Sequence, residues 1–181
     1  YVMASPLYRQ EQQWARRGVA ISRQNMANWV IYAAENWLKP VYDCMQAELM
    51  GQNIIAADET SLQVLKEEGK KPQSKSYMWL YRSGRYGPGI VLYEYQPSRS
   101  GEHPRKFLQK FNGYLMTDGY VGYNDIPGVT NIGCFAHARR KFDEAIKAAG
   151  KTTKKPKAAE GLEFIRKLYL IEKKLTDIDP E

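Results

Sequence analysis

The apolar side chains change their spacing near Asn53, and this change constrains the fold more than any other feature of the sequence. Before it, apolar residues recur every three or four positions from Met26 to Val41, which is the period of a helix. After it, short runs of β-branched and aromatic residues alternate with turns rich in Gly and Pro. The sequence therefore predicts a helical segment over residues 1–52 and an α/β domain over residues 53–150.

Strand-like runs in the second segment predict a mixed sheet. A helix opening at Pro104 separates the third run from the fourth, and another helix begins near His137. This succession is typical of an RNase H-like sheet, in which three antiparallel strands are extended by two parallel strands and helices cover the faces. The predicted strands are Ile54–Ala57, Ser76–Arg82, Gly89–Tyr95, the run that ends at Asp118, and Asn131–Phe135.

Two aspartates stand where the first and fourth predicted strands end. In the RNase H-like order these two ends are neighbours, so Asp58 and Asp118 are expected to lie close together. Ionised carboxylates repel each other, and a divalent cation removes that repulsion. Mg²⁺ or Mn²⁺ binds oxygen ligands, and two such ions about 3.5–4 Å apart can act on one phosphate. The pair therefore predicts a two-metal site for phosphoryl transfer.

Each aspartate also has a simpler interpretation. Asp118 precedes Gly119, and Asp-Gly is a common turn dipeptide. Asp58 could cap a turn or helix that begins at Thr60, and Glu59 could be the metal ligand in its place. The interpretation of the aspartates as ligands depends on the predicted strand order.

The positive charge of the chain is concentrated in one segment. The net charge is +7, and residues 137–157 contain eight basic and two acidic side chains. A smaller basic group includes Arg16, Arg17 and Arg23. Such clustering predicts a polyanionic partner, with nucleic acid foremost, although basic runs also occur as ordinary solvated surface.

The N-terminal segment has the layout of two helices joined by a turn. Gly18 is expected to end the first helix, Ser22 to cap the second, and Pro40 to kink it. With arginines nearby, this layout resembles a helix-turn-helix, which inserts its second helix into the major groove of DNA. A plain helical hairpin explains the pattern equally well.

The sequence offers no candidate membrane span, because no apolar run approaches the roughly 18 residues that a span requires. We therefore expect no membrane partner and a cytoplasmic location. Cys44 and Cys134 are far apart and form no C-x-x-C pair, which favours reduced thiols over a disulfide framework.

Five separated phrases resemble, in order and spacing, the insertion-sequence-66 family of DDE transposases. The resemblance covers about residues 6–150. It implies an RNase H-like catalytic domain that acts with Mg²⁺ as a homo-oligomer on DNA in the nucleoid, cutting transposon ends and joining them to target DNA. It also implies that Asp58 and Asp118 are the first two acids of the DDE triad. The phrases are ADETSLQVL (57–65), YMWLYRS (77–83), YQPSRSGEHPRKFL (95–108), LMTDGYVGYN (115–124) and CFAHARRKFDEA (134–145).

The last phrase contains Cys134 and His137, which match the C-x-x-H element of many DDE transposases. Such a pair supplies two ligands, fewer than the four of a structural zinc site. We therefore expect Cys134 to be buried at a strand end, and His137 to lie at a helix start near the active site or to act as a plain cap. Arg139, Arg140 and Lys141 follow on the helix, and they are predicted to contact DNA phosphates.

The sequence departs from the family in one respect. The asparagine-rich phrase that carries the third acid of the family is not found, so we expect a fragment that is inert alone, with the third acid downstream of Glu181. Residues 151–181 are predicted to form a linker, KTTKKPK, and the first helix of an insertion. Within the chain, Asp143 and Glu144 are the nearest alternatives for the third acid.

The leading hypothesis is a DDE transposase catalytic core that performs metal-dependent DNA cleavage and strand transfer. One alternative is a DNA-binding module on an RNase H-like scaffold, which would need no metal. Another is an RNase H-like nuclease such as a resolvase, which would cleave DNA without joining ends. Metal dependence and strand-transfer products distinguish the three.

Overall fold

The computed structural model describes residues 4–85, 87–150 and 156–175. These residues form two compact units, divided between Ala47 and Glu48. Of the predicted linker, residues 151–155 lie outside the described part of the chain. Among the described residues, no helix combines the length and the apolar character needed to cross a bilayer.

The first unit begins with two helices, α1 (Leu7–Arg16) and α2 (Arg23–Ala33). The turn between them contains Gly18 at φ +80°, a left-handed conformation that favours glycine. The Ser22 hydroxyl oxygen accepts a hydrogen bond of 3.1 Å from the backbone N–H of Asn25, so the predicted cap is confirmed. The connection of six residues is longer than the turn of a helix-turn-helix, which favours the helical-hairpin interpretation.

A π-helical segment precedes Pro40, the residue at which a kink was predicted. This segment (Ala34–Leu38) joins α2 to α3 (Lys39–Met50) and ends two residues before the proline. Proline has no N–H to donate, and its ring collides with the carbonyl four residues earlier, here that of Asn36. The wider π turn is one way in which a helix accommodates such a residue.

The second unit is a mixed sheet of five strands with helices. Its strands are β1 (Ile54–Gln63), β2 (Lys75–Ser83), β3 (Val91–Gln96), β4 (Gly113–Thr117) and β5 (Val129–Gly133). They lie in the order β3-β2-β1-β4-β5, with β1, β2 and β3 antiparallel and β1, β4 and β5 parallel. Its further helices are α4 (Glu102–Phe107), a 3₁₀ turn (Val121–Tyr123), α5 (Phe135–Ala149) and α6 (Lys157–Lys174). The predicted α/β class, a mixed sheet with helices, is confirmed.

One face of the sheet, here called the core face, carries most of the buried side chains. Ala57 of β1 pairs with Tyr81 of β2, and Glu59 pairs with Trp79. Tyr81 and Trp79 are fully buried. The Tyr81 ring stacks on Phe107 of α4, with the ring centroids 3.7 Å apart. Helix α4 therefore covers this face.

The opposite face, here called the site face, carries the alternate residues of the same strands. Ala56 and Asp58 of β1, Leu80 of β2 and Met116 of β4 lie on it, because each pairs in register with another. These side chains are half-buried or exposed. The first turn of α5 lies against this face, since His137 contributes to the same cavity as Asp58.

The structure corrects the predicted bounds of β1. The strand was expected to end at Ala57, but it continues to Gln63 because β2 pairs with it residue by residue from Ile55 onward. Only the parallel pairing with β4 ends early, at Ala56. Asp58 therefore lies inside the strand, and the hypothesis that it caps a turn or helix beginning at Thr60 is wrong.

The fifth strand also differs from its predicted bounds. It spans Val129–Gly133 rather than Asn131–Phe135. Cys134 is already the residue before the first turn of α5, and it is half-buried rather than buried. Both Cys44 and Cys134 are free thiols, as predicted.

Helices α5 and α6 pack closely through a glycine. A Cβ atom at Gly161 would lie 2.6 Å from the ring of Phe142, so only glycine permits this approach. Ile165 of α6 is buried. The predicted helix over Glu160–Leu175 therefore corresponds to α6, which starts three residues earlier.

Candidate active site

The register of two parallel strands brings the predicted aspartates to the same end of the sheet. Ala56 of β1 pairs with Met116 of β4, and both lie on the site face. This pair is the last of the register, and it lies two residues before Asp58 in β1 and two residues before Asp118, which follows the end of β4. If the register continued, the two aspartates would be level on neighbouring strands, which are about 4.8 Å apart.

Asp58 lines a cavity of about 190 Å³ on the site face. Its side chain is exposed, and its Oδ2 atom lies 3.8 Å from Nε2 of His137, the third residue of α5. Its Oδ1 atom accepts a 2.9 Å hydrogen bond from the backbone N–H of Glu59. Arg82 and Cys134 line the same cavity. The His137 ring is thus a basic side chain within 4 Å of the Asp58 carboxylate.

Asp118 forms the turn that its dipeptide predicts. Its Oδ1 atom accepts a 2.8 Å hydrogen bond from the backbone N–H of Tyr120, and Gly119 between them has φ +89°. Among the described residues, no hydrogen bond reaches the Oδ2 atom of Asp118. Because one carboxylate has two oxygens, the turn leaves one oxygen available to a ligand.

Glu59 lies on the core face, and its side chain is only 1% exposed. Its Oε1 atom accepts hydrogen bonds from Nε of Arg99, at 2.8 Å, and from Nη2 of the same guanidinium. Its Oε2 atom accepts a 2.6 Å hydrogen bond from the hydroxyl of Tyr123. Both oxygens are therefore engaged, and we assign Glu59 to the structure of the site rather than to metal binding.

Tyr123 is held as a hydrogen-bond donor by its surroundings. Burial of the ring raises the pKa of its hydroxyl far above the ordinary value, and the hydrogen bond to Glu59 raises it further. The hydroxyl therefore stays protonated at neutral pH and donates its hydrogen bond to Glu59.

The donor atoms of the two aspartates suit a hydrated magnesium ion. Both are carboxylates with access to water, and Mg²⁺ binds one or two carboxylates while keeping several waters. Across the described ranges, no group of three or more His, Cys, Asp or Glu side chains is arranged to hold a metal. The residues present therefore fit a site with two protein carboxylates, and they do not supply a third ligand.

The two alternative acids on α5 do not complete the site. Asp143 forms a 2.7 Å ion pair with Lys147 on its own helix. Glu144 is exposed and lies seven residues after His137, on the same side of the helix. Seven residues correspond to about 10 Å along the axis, so Glu144 is remote from the cavity that His137 lines.

The predicted phosphate-contacting residues of α5 are exposed, but they do not share one side of the helix. Arg140 and Lys141 come one turn after His137 and lie on its side. Arg139 lies on the opposite side, in a groove of about 550 Å³ that residues of α6 complete. The structure thus separates Arg139 from the side that carries the candidate site.

The basic residues of the first unit are also exposed. Arg16 is the last residue of α1, and Arg17 follows it. Arg23 opens α2, with its guanidinium carbon 5.5 Å from the centroid of the Tyr8 ring. These arginines form an accessible positive surface on the helical unit.

The structure adds three residues that the sequence did not single out as site residues: Arg99, Tyr120 and Tyr123. All three stand in phrases that carry the family resemblance. Their partners lie 40 and 64 residues away in the chain, or are backbone atoms, so no local spacing could have revealed them. A useful signal was present only in the run of tyrosines directly after Asp118.

Comparison with known families decides the affiliation of this chain. The sequence profile described as Transposase IS66 family matches residues 1–181. The chain belongs to the IS66 transposase family. The match extends beyond residues 6–150, the range of the resemblance, and it also includes α6. The family resemblance predicted from the sequence is therefore confirmed.

Curated relatives of this IS66-family chain occur in Sinorhizobium fredii. "Uncharacterized protein y4jD" is 33% identical over 94% of the chain and 35% of its own length. "Uncharacterized protein y4qI" is 32% identical over 78% of the chain and 29% of its own length. The chain thus spans about a third of the length of these relatives.

A solved structure shows a weaker likeness. A chain in the cryo-EM structure of the simian T-cell lymphotropic virus intasome, in complex with PP2A regulatory subunit B56 gamma, aligns with 54% of this chain and 39% of its own length. The TM-score is 0.35 and the identity is 10%. A likeness at this level supports no conclusion on fold or function.

Proposed function

We propose that this chain is the central part of an RNase H-like catalytic core of a DDE transposase, which cleaves DNA at transposon ends and joins them to target DNA. The observation that carries the proposal is the register of β1 and β4, whose last pair, Ala56 with Met116, lies two residues before each aspartate. Two adjacent carboxylates destabilise a fold unless they bind a cation. Membership of a transposase family supplies the class of reaction.

In this proposal Asp58 and Asp118 hold a divalent cation, Mg²⁺ or Mn²⁺, as part of a two-metal site. Such ions activate an attacking hydroxyl or water and stabilise the departing oxygen of a phosphodiester. The chain itself supplies the carboxylates, the cavity beside Asp58, and the His137 ring at its wall. The third acid is expected outside this chain, and assembly of several copies on DNA belongs to the same proposal.

DNA is proposed to pass along the side of α5 that carries His137. Replacing Arg140 and Lys141 together with Ala is therefore expected to weaken duplex binding and to reduce the slope of log K against log salt by about two, because each lost phosphate contact removes nearly one unit. Fluorescence anisotropy at several salt concentrations measures this slope.

Arg139→Ala is the matched control for that experiment, because Arg139 is also exposed but lies on the opposite side of α5. It is expected to change the slope by well under one unit. Equal effects of the control and the double variant would mean that DNA does not distinguish the two sides of the helix.

The reaction is tested with a labelled transposon-end duplex and a target duplex. A longer IS66-family protein that contains this chain is expected to form strand-transfer products with Mg²⁺ or Mn²⁺. The chain alone is expected to form none, because two carboxylates leave the second metal position without its remaining protein ligand. Gel electrophoresis separates cleaved from joined products.

The other outcomes of this assay have distinct meanings. Strand transfer by the chain alone, lost in Glu144→Gln or Asp143→Asn, would place the third acid on α5. Cleavage without joining would favour a nuclease of the resolvase kind. Metal-independent DNA binding without any cleavage by the longer protein would favour a DNA-binding module.

A further inference from the structure

Arg99, in the loop between β3 and α4, is held from two sides. Its guanidinium donates to the Oε1 atom of Glu59, which is 1% exposed, while Arg99 itself remains 41% exposed. The guanidinium carbon also lies 3.8 Å from the centroid of the Tyr120 ring, which is within the range of a cation–π contact. A loop side chain is thus fixed between a buried carboxylate and an aromatic ring.

Tyr120 is in turn attached at both of its ends. Its hydroxyl donates a 2.5 Å hydrogen bond to the backbone carbonyl of Arg99. Its backbone N–H donates the 2.8 Å hydrogen bond to Oδ1 of Asp118. The side chain of Tyr120 therefore binds the Arg99 loop, while its backbone binds the carboxylate of Asp118.

Inside the turn, the backbone N–H of Gly119 also donates a 3.2 Å hydrogen bond to Oγ1 of Thr117. Apart from the two chain neighbours of Gly119, no atom lies within 4 Å of the position that a Cβ there would occupy, and its φ of +89° is open to glycine without strain. Packing does not restrain the turn at that point. The Asp118 carboxylate itself accepts its hydrogen bond from the N–H of Tyr120, so the position of Tyr120 bears on the direction in which that carboxylate points.

We propose that Arg99 and Tyr120 are positioning residues for Asp118, and that they tie its carboxylate to the strand that carries Asp58. The link runs from Glu59, the neighbour of Asp58 in β1, through Arg99 and Tyr120 to Asp118. This inference rests on the proposed function, since positioning matters only if Asp118 binds the cation. The inference adds that Glu59, on the core face of the sheet, helps to determine where the Asp118 carboxylate lies relative to Asp58.

The chemistry of the link requires arginine rather than any cation. Arg99 uses two nitrogens of a planar fork on Glu59 and its flat face on Tyr120. Lysine would keep the charge but lose both the fork and the stacking. A substitution that preserves charge therefore separates positioning from simple electrostatics.

The test compares Arg99→Lys, Tyr120→Leu and Tyr120→Phe in the chain described here. Arg99→Lys and Tyr120→Leu are expected to raise the Mn²⁺ dissociation constant, measured by titration calorimetry, by about 10-fold or more, as is typical when partners of metal ligands are lost. Tyr120→Phe keeps the ring and loses the hydroxyl, so a smaller increase is expected. Arg166→Lys, which alters an exposed two-point pair with Glu163, is the matched control and is expected to have no effect.

A second measurement does not depend on metal. The amide of Tyr120 donates to Asp118, so its hydrogen exchange, followed by NMR, is expected to accelerate by about 10-fold in Arg99→Lys and Tyr120→Leu. Unchanged exchange together with unchanged Mn²⁺ affinity in both variants would overturn the positioning role. If the wild-type chain binds no Mn²⁺ while exchange accelerates as expected, the link exists but the proposed metal site fails. Unchanged exchange with weakened Mn²⁺ binding would also overturn the inference, since the substitutions would then act by a route other than the hydrogen bond between Tyr120 and Asp118.

Discussion

Asp118→Asn is expected to abolish measurable Mn²⁺ binding by the chain and to reduce strand transfer by a longer IS66-family protein by roughly 10³-fold or more. A metal ion contributes several kcal/mol to stabilising the charge of such a transition state, and each 1.36 kcal/mol is about tenfold in rate. The substitution removes the negative charge from one of two proposed ligands. It keeps an oxygen that can accept the hydrogen bond from the Tyr120 N–H, so the turn is expected to survive.

Asp58→Asn is expected to have the same effect, since both carboxylates are needed to hold the ion. Asp125→Asn is the control: Asp125 is exposed, follows closely in the chain, and has φ +56°, a conformation that Asn tolerates as well as Asp. Isothermal titration with Mn²⁺ gives the affinity, and circular dichroism confirms that each variant is folded. Retention of Mn²⁺ binding by both aspartate variants would show that the cation is held elsewhere.

Glu59→Ala is expected to destabilise the second unit by about 2–4 kcal/mol. The change leaves the Tyr123 hydroxyl buried without its acceptor and removes the partner of Arg99. Breaking a buried ion pair from one side costs about 3–5 kcal/mol, and the partial exposure of Arg99 reduces that figure. Urea unfolding followed by fluorescence gives the free energy.

Glu59→Gln is expected to cost less than Glu59→Ala, because the amide oxygen can still accept one of the hydrogen bonds. Glu172→Ala removes an exposed pairing with Arg85, in which the two side chains are 61% and 46% exposed, and is expected to change the stability by at most about 0.5 kcal/mol. If Glu59→Ala were no more destabilising than Glu172→Ala, the buried network would have no role in stability.

The order of helices and strands could be predicted from the sequence because it depends on local patterns. The change of period near Asn53, the glycine and serine at the first turn, and the apolar runs of the strands each act over a few residues. The extent of β1 could not be predicted in this way. Its second half is held only by pairing with β2, and the polar residues Asp58 to Ser61 give no apolar alternation to mark it.

The candidate site shows the same limit. Asp118 could be identified as a candidate from the sequence. Its interpretations as a turn residue and as a metal ligand do not exclude each other, because one oxygen forms the turn and the other stays available. The hydrogen bonds of Glu59 could not be predicted from the sequence, since its partners Arg99 and Tyr123 lie 40 and 64 residues away in the chain. The separation of Arg139 from Arg140 followed from the helix period, but only once His137 was known to face Asp58.

Asp58 and Glu59 are consecutive in β1, so the number of residues in this strand decides which face of the sheet each acid reaches. A pleated strand sends Asp58 to one side of the sheet and Glu59 to the other. If the pairing of Ile54 and Ile55 with β4 were kept, gain or loss of a single residue between Ile55 and Asp58 would send Asp58 to the core face and Glu59 to the site face. Asp58 would then be lost from the cavity, and Glu59 would be lost from its contacts with Arg99 and Tyr123. Metal geometry and core stability would fail together, so changes in the length of this domain can accumulate in its loops but not in this half of β1.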